Sequence, residues 1–166
     1  MKKIILAIIA GIIPLVLPAA STDFWFRHFS VEDGLSSNSV RAIMQDKYGF
    51  MWLGTDDGLN RYDGTTIKVY NLNPQGSNDY ISSLYDTTDN IWVGTEGGVY
   101  IFDYETESFE LFKVLTAQGD SIKSNVNHIA EDRDGNLWFS TVGQGIFKYN
   151  ISKHYLEHYE FKDANG

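Results

Sequence analysis

Apolar residues occur along most of this chain in short runs that are separated by polar turns. Within several runs they occupy consecutive positions, as in Ile91-Trp92-Val93 and Leu137-Trp138-Phe139. A strand with one face in water alternates apolar and polar positions, so these runs predict strands that are covered on both faces. After the first twenty or so residues no stretch shows a helical period.

A tryptophan-centred unit occurs three times. The copies are Trp52-Leu53-Gly54-Thr55, Trp92-Val93-Gly94-Thr95 and Trp138-Phe139-Ser140-Thr141. The tryptophans lie 40 and then 46 residues apart. A repeat of this length that is filled with short strands is typical of a β-propeller, in which each repeat forms one four-stranded blade.

Each repeat contains four segments that resemble strands. They cover 40–43, 50–53, 59–62 and 67–70 in the first repeat, 81–84, 91–93, 99–102 and 109–112 in the second, and 126–129, 137–139, 146–149 and 155–159 in the third. The sequence therefore predicts an all-β fold of about three four-stranded antiparallel blades, at 35–72, 78–114 and 122–161. An additional strand at 24–29 has no blade of its own and brings the expected total to thirteen.

The tryptophan unit also predicts how the blades pack. Trp52, Trp92 and Trp138 are expected to be buried at equivalent places. Gly54 and Gly94 are expected to be small so that a bulky side chain of the neighbouring blade can approach. Thr55, Thr95 and Thr141 complete the repeated unit.

The first 21 residues have a different composition. Lys2 and Lys3 precede an uncharged, almost wholly apolar run from Ile4 to Leu17, and Ala19 and Ser21 supply small residues for cleavage. This pattern predicts a signal peptide at 1–21, because the apolar run is shorter than the roughly 20 residues of a membrane span. An uncleaved N-terminal anchor is the alternative. Residues 22–166 would then form the exported part, an incomplete propeller located in the periplasm.

Charge and cysteine content narrow the function. Without Lys2 and Lys3, 11 basic residues face 22 acidic ones, which disfavours binding to nucleic acid or to an anionic membrane surface. The chain has no cysteine, so zinc-finger and thiol chemistry are excluded. No pattern indicates a cofactor or a metal site, and the exported part is not expected to insert into a membrane.

The first repeat resembles the two-component regulator propeller repeat. The matching positions are Val40, Ile43, Asp46, Gly49, Trp52, Gly54, Thr55, Gly58, Leu59, Tyr62 and Asp63. The lead-in at 33–38, directly after a signal peptide and a short aromatic segment, resembles the start of that family's sensor domain. The departures are a weak first strand in the second blade and Ser140 in place of glycine.

This resemblance implies the N-terminal part of the periplasmic sensor domain of a hybrid two-component sensor histidine kinase, of the type found in glycan-degrading Bacteroidetes. Such proteins have two seven-bladed propellers, an immunoglobulin-like domain, a membrane helix and cytoplasmic kinase modules. The chain would thus be a non-enzymatic fragment whose partners are the remaining blades and the kinase domains.

Several residues could carry chemistry, but each has a simpler interpretation. The segment 132–136 resembles a calcium loop, yet its glycine is misplaced and it fits a hairpin turn. His154 and His158 have metal-ligand spacing only on a helix, and their segment is expected to be a strand. The pair Asp56-Asp57 could act in acid–base chemistry, although a polar rim loop is the more common role.

Propeller geometry suggests a ligand site at the mouth of the central channel, formed by the innermost strands and the adjacent loops. The candidate residues are Arg41, Ser82 and His128 in the first strands, Asp56, Asp57, Glu96 and Gln144 in the loops before the third strands, and Arg61 together with rim aromatics such as Tyr48. The expected function is the sensing of an oligosaccharide. The alternatives are a fragment of a propeller enzyme, either a lyase or a glycosidase, and a protein–protein scaffold.

Overall fold

A computed structural model describes residues 25–72 and 79–160. These residues contain twelve strands in three four-stranded antiparallel sheets and one short 3₁₀ helix, Val31–Asp33. The first sheet comprises β1 (Val40–Gln45), β2 (Met51–Thr55), β3 (Gly58–Tyr62) and β4 (Ile67–Tyr70). The second comprises β5 (Ile81–Asp86), β6 (Asn90–Thr95), β7 (Gly98–Asp103) and β8 (Ser108–Leu111). The third comprises β9 (Val126–Glu131), β10 (Asn136–Thr141), β11 (Ile146–Asn150) and β12 (Tyr155–Tyr159).

The strands of each sheet follow chain order, and the first strands β1, β5 and β9 contact one another in sequence. This is the radial arrangement of blades one, two and three of a propeller, with the first strand of each blade innermost. The prediction of three four-stranded antiparallel blades is confirmed, and most strands extend one or two residues beyond the predicted segments. The predicted signal peptide at 1–21 lies outside the described residues.

The additional strand predicted at 24–29 does not form in its described part. Residues 25–29 belong to no strand, and the side chains of Trp25 and Phe26 are 94% and 93% exposed. Instead, Arg27 donates a hydrogen bond to the Tyr62 hydroxyl (3.1 Å), and the Phe29 ring packs edge-on against the Tyr62 ring. The segment therefore contacts side chains of blade one and does not pair with a strand.

The core consists of two apolar layers, each of which lies between two blades. The layer between blades one and two contains Trp52, Leu59, Tyr70, Leu72, Ile81, Ile91, Val93 and Phe102. The layer between blades two and three contains Trp92, Val99, Phe112, Ile122, Val126, Ile129, Leu137, Phe139, Phe147, Tyr149 and Leu156. Blade two contributes to both layers, which explains why its strands are apolar at consecutive positions.

The two glycines of the tryptophan unit bring neighbouring blades into close contact. A Cβ atom on Gly54 would lie 2.5 Å from Cγ2 of Ile81, which begins the next blade. A Cβ atom on Gly94 would lie 2.9 Å from the carbonyl oxygen of Val126, at the start of blade three. The prediction that these positions must be small is confirmed.

An aspartate fixes the tryptophan in blades one and three. Asp46 accepts a hydrogen bond from Trp52 Nε1 (2.7 Å) and further bonds from backbone N–H groups of its turn. Asp132 accepts one from Trp138 Nε1 (2.8 Å) and likewise binds backbone N–H groups of its turn. The segment 132–136 is thus a hairpin turn whose first carboxylate is already occupied by donors.

Blade two lacks this bond because Thr87 replaces the aspartate, and its first hairpin is also one residue shorter. Asp86 pairs with Ile91 there, whereas the equivalent pair in blade one, Gln45 and Met51, is separated by one residue more. Thr87 occupies the position of the aspartate, since its N–H donates to the Asn90 carbonyl oxygen as Asp46 N–H donates to that of Phe50, and the residue that blade two lacks lies within the turn. Trp92 Nε1 is buried and finds no acceptor within the described residues.

The prediction of equivalent burial holds for two of the three tryptophans. Trp52 is fully buried and Trp92 is nearly so, whereas Trp138 is partly exposed. The Trp138 ring stacks on Tyr159 and lies under the Lys148 ammonium. Its exposure follows from position, because no blade covers this face of blade three within the described chain.

The threonine of each unit closes the following turn. The hydroxyl groups of Thr55, Thr95 and Thr141 donate to the carbonyl oxygens of Gly58, Gly98 and Gly145 at 3.0, 3.0 and 2.8 Å, respectively. The tryptophan, the glycine and the threonine of the repeated unit therefore have structural roles.

Replacement of Gly54 by alanine should lower the free energy of unfolding by about 1–3 kcal/mol, because the new methyl group overpacks the contact with Ile81. Gly97→Ala is the matched control, since no heavy atom lies within 4 Å of its added Cβ and its φ angle is not in the left-handed region. Urea denaturation of both variants measures the difference. Equal stabilities would show that the blades separate at Gly54 without cost.

Trp52→Phe should cost about 1–3 kcal/mol more than Trp92→Phe. Both changes remove the same ring volume from a buried site, but only the first breaks a hydrogen bond to a carboxylate. Chemical denaturation of the two variants gives the difference. A larger loss in Trp92→Phe would mean that its indole N–H has an acceptor after all.

Acid should weaken the Asp132 turn. The hydrogen bond from Trp138, followed by those from Asn136, lowers the pKa of Asp132 well below its usual range. A lowered pKa in the folded state adds stability above the unfolded pKa of about 3.9, and that stability is lost as the pH falls below this value. We expect Asp132→Asn to lose less stability than the wild type between about pH 6 and pH 3. Parallel losses would contradict this assignment.

Candidate ligand-binding site at the upper end of the blades

The two ends of each blade carry different turns. We call upper the end that holds the turns between second and third strands, at 56–57, 96–97 and 142–145. We call lower the end that holds the other two hairpins of each blade. At the upper end the turn between β2 and β3 also meets the start of β1, because Asp56 N–H donates to the Ser39 carbonyl oxygen (3.2 Å).

A β-bulge recurs at the upper end of every first strand. The registers run from Val40 to Ala42 opposite β2, from Ile81 to Ser83 opposite β6 and from Val126 to His128 opposite β10. The bulged residues, which have no partner in the register, are Arg41, Ser82 and Asn127. A bulge re-aims a side chain out of the regular alternation of a strand. The fold therefore places one polar residue per blade at the same inner, upper position.

Among the three bulge residues, Arg41 makes contacts with both a carboxylate and an aromatic ring. Its Nε and Nη2 atoms donate to the two carboxylate oxygens of Asp56, at 2.6 and 3.3 Å. The guanidinium carbon lies 5.4 Å from the centroid of the Tyr80 ring, which precedes β5 of the next blade. Arg41, Asp56 and Tyr80, which we call the mouth cluster, thus bridge blades one and two.

The charged groups of Arg41 and Asp56 in the mouth cluster stabilise each other. The hydrogen bond from Arg41 lowers the pKa of Asp56, and the same bond raises the pKa of Arg41. Both groups are therefore ionised at neutral pH. The cluster offers guanidinium donors, carboxylate acceptors and an aromatic ring on a solvent-accessible surface.

The other two bulge residues differ from Arg41. The Ser82 hydroxyl lies within hydrogen-bonding distance of the carbonyl oxygens of Gly94 (3.1 Å) and Val126 (2.7 Å), so it helps to join blades two and three. In blade three the bulge residue is the exposed Asn127, not the predicted His128. His128 has the register of Ala42 and Ser83 and is exposed on the side of blade three that no described residue covers.

The predicted loop residues have unequal roles. Asp57 and Glu96 are exposed on their turns, at the same end as the mouth cluster. Gln144 is instead engaged with the linker before β9, because its side chain accepts from Lys123 N–H (2.8 Å) and donates to the Ser121 carbonyl oxygen (3.2 Å).

Arg61 and Tyr48 lie at the lower end, away from the mouth cluster. Arg61 donates to Glu107 of blade two (2.9 Å), and its guanidinium carbon lies 5.7 Å from the Trp52 ring centroid. The ring of Tyr48 is 62% exposed and packs edge-on against Tyr104. Both residues join blade one to blade two, and neither lies at the predicted channel mouth.

The sequence interpretation missed Tyr80 and Asn127. Tyr80 directly precedes the first strand of blade two, so its proximity to Arg41 depends on the angle between two blades. Asn127 was hidden by the bulge, because a count of residues from Val126 does not reveal the extra position. A polar residue directly after the first apolar residue of each first strand was the available signal.

The comparisons with known proteins agree with this architecture. The two-component regulator propeller family matches residues 34–57 and 121–143. These ranges contain the tryptophan units of blades one and three, and the unmatched blade two is the one that lacks the aspartate of the first hairpin. Among the described residues, no helix is long and apolar enough to cross a membrane.

The similar proteins are much longer than this chain. Histidine kinase P4 of Formosa agariphila is 46% identical over 70 residues, which are 42% of this chain and 5% of that protein. The extracellular domain assigned to the hybrid two-component system BT3049 of B. thetaiotaomicron is 32% identical with a TM-score of 0.70, over 80% of this chain and 20% of that domain.

The extracellular domain assigned to system BT4673 of the same organism shares the fold. Its TM-score is 0.69 at 23% identity, over 83% of this chain and 18% of that domain. This chain thus spans about one fifth of each matched domain. The three blades, the tryptophan units and these similarities lead to one conclusion: the chain is a β-propeller segment whose first and third blades match the two-component regulator propeller family.

Proposed function

We propose that this chain is part of the periplasmic sensor of a two-component system and that it recognises an oligosaccharide at the upper end of its blades. The observation that carries the proposal is the mouth cluster, in a fold similar to extracellular domains of hybrid two-component systems. Arginine and carboxylate groups hydrogen-bond to sugar hydroxyls, and an aromatic ring can stack on the apolar face of a sugar ring.

The mouth cluster is suited to binding rather than to glycoside hydrolysis. Glycoside hydrolysis commonly needs a carboxylic acid with a raised pKa, which donates a proton to the leaving group. Asp56 has the opposite shift, because Arg41 stabilises its ionised form. We therefore assign no catalysis to this segment. The proposal assigns kinase activity to domains outside this chain.

The position of the cluster supports a site that is shared between blades. Arg41 and Asp56 belong to blade one, and Tyr80 directly precedes the first strand of blade two. The bulge position that Arg41 occupies in blade one is occupied by Ser82 in blade two and by Asn127 in blade three. Ligand contacts would thus be spread over several blades. In the proposal, the further blades of the sensor complete the pocket.

Arg41→Ala should weaken oligosaccharide binding about ten-fold, since it removes a charged hydrogen-bond donor. The measurement is calorimetric titration of the extracellular region that contains these repeats, with maltohexaose, cellohexaose, xylohexaose and an alginate oligomer as probes. Arg133→Ala is the matched control, because Arg133 is an exposed arginine in a lower-end hairpin.

Three outcomes would contradict parts of the proposal. Turnover of any probe would refute the non-enzymatic role. Unchanged affinity in both Arg41→Ala and Tyr80→Ala would place the ligand elsewhere. Absence of glycan binding together with stable binding of another protein would favour the scaffold alternative.

A further inference from the structure

A concave surface lies at the outer strand of blade two, away from the mouth cluster. It is a groove of about 310 Å³ between the turn of β6 and β7, the end of β8 and the linker that leads to β9. The residues that line it include Gly97, Leu111, Lys113, Leu115, Ile122 and Lys123. We call it the linker groove.

The linker groove has an apolar surface and a basic rim. Ile122 is buried, whereas the side chains of Leu111 and Leu115 are 41% and 56% exposed. Lys113 and Lys123 are exposed, and neither forms an ion pair with a carboxylate of the described chain. Two unpaired lysines beside exposed leucines are unusual in a chain with a net charge of −9.

Contacts on both sides hold the walls of the groove in place. Phe112 N–H donates to the Val99 carbonyl oxygen (2.8 Å), which fixes the start of the linker on β7. Gln144 binds the backbone of Ser121 and Lys123, which fixes its end on blade three. Between them, Thr116 forms a bridge with Leu156 of β12. The groove is thus preformed by the fold.

Gly97 leaves the groove open on the turn side. No heavy atom lies within 4 Å of the position that its Cβ would occupy. The equivalent residue in blade one is Asp57, because Thr55 pairs with Gly58 as Thr95 pairs with Gly98. An aspartate at position 97 is therefore compatible with this turn, and blade two departs from blade one where the groove needs space and no negative charge.

We propose that the linker groove binds a small amphipathic carboxylate, with its apolar body against the exposed leucines and its carboxylate near Lys113 and Lys123. The volume suits a molecule of that size, since ligand pockets begin at about 300 Å³. Charge complementarity selects an anion over a neutral lipid or a cation. The groove is independent of the mouth cluster and of the proposed oligosaccharide ligand.

The test is equilibrium dialysis of the full chain with radiolabelled octanoate, a method that tolerates self-association of the protein. We expect saturable binding at one site. Affinity should fall about three- to four-fold for each methylene removed in the series from octanoate to butanoate. Octanol, which lacks the charge, should bind more weakly than octanoate.

Variants identify the site. Gly97→Asp should weaken octanoate binding more than the nearly isosteric Gly97→Asn, because only the aspartate repels the ligand's carboxylate. The double variant Lys113→Gln/Lys123→Gln should weaken binding roughly ten-fold, whereas Lys153→Gln, an exposed lysine in a lower-end turn, should have no effect. Circular dichroism verifies that each variant is folded.

The proposal is overturned if octanoate shows no saturable binding, or if it binds equally to the double lysine variant and to the wild type. It is also overturned if octanol binds as tightly as octanoate. Binding of an acidic leucine-containing peptide without binding of octanoate would make the groove a protein-docking surface and would equally refute a small-molecule site.

Discussion

This structure depends on one condition, which is that both faces of each blade are covered by neighbouring parts of the protein. A blade with apolar residues on both sides cannot be stable in water alone, because each face must be removed from solvent by a neighbour. Blade two meets this condition fully, between the layers around Trp52 and Trp92. Blades one and three meet it on one side within the described chain. Ile43, 66% exposed, and the partly exposed Trp138 mark the remaining faces.

The close approach at Gly54 and Gly94 makes this packing specific. Atoms from the start of the next blade, the Ile81 side chain and the Val126 carbonyl oxygen, fill the space that a Cβ would need, so the angle between adjacent blades is set near the inner strands. Further out, polar contacts align the lower ends. Glu107 of blade two pairs with both Arg61 and Lys68 of blade one, at 2.9 and 2.6 Å. Because these ion pairs are partly exposed, the apolar layers contribute more to stability than the pairs do.

The same scaffold leaves room for functional variation. The bulge places one side chain per blade at the inner, upper position without disturbing the apolar layers, so that residue can change freely between repeats. Blade one uses it for the Arg41–Asp56 pair, whereas blade two uses Ser82 to bind the next blade. The linker groove shows the same freedom on the outer side, where a long connection between blades departs from the repeat.

The sequence by itself determined the strands of the three blades and the repeat, because these depend on residues near each other in the chain, and the repetition of the tryptophan unit marked the small glycine positions. Consecutive apolar residues, Asp-to-Trp spacing and turn glycines are local signals. They predict the same strands and turns whatever the arrangement of the blades. Tertiary structure alone decided which polar residues meet. Tyr80 reaches Arg41 and Glu107 reaches Arg61 across blade boundaries, and one extra residue in the bulge moved the inner position from His128 to Asn127. The contacts across blade boundaries depend on the angle between sheets, which is set by packing over distances that no short pattern records, and the bulge shifts the strand register in a way that a count of residues along the chain does not show.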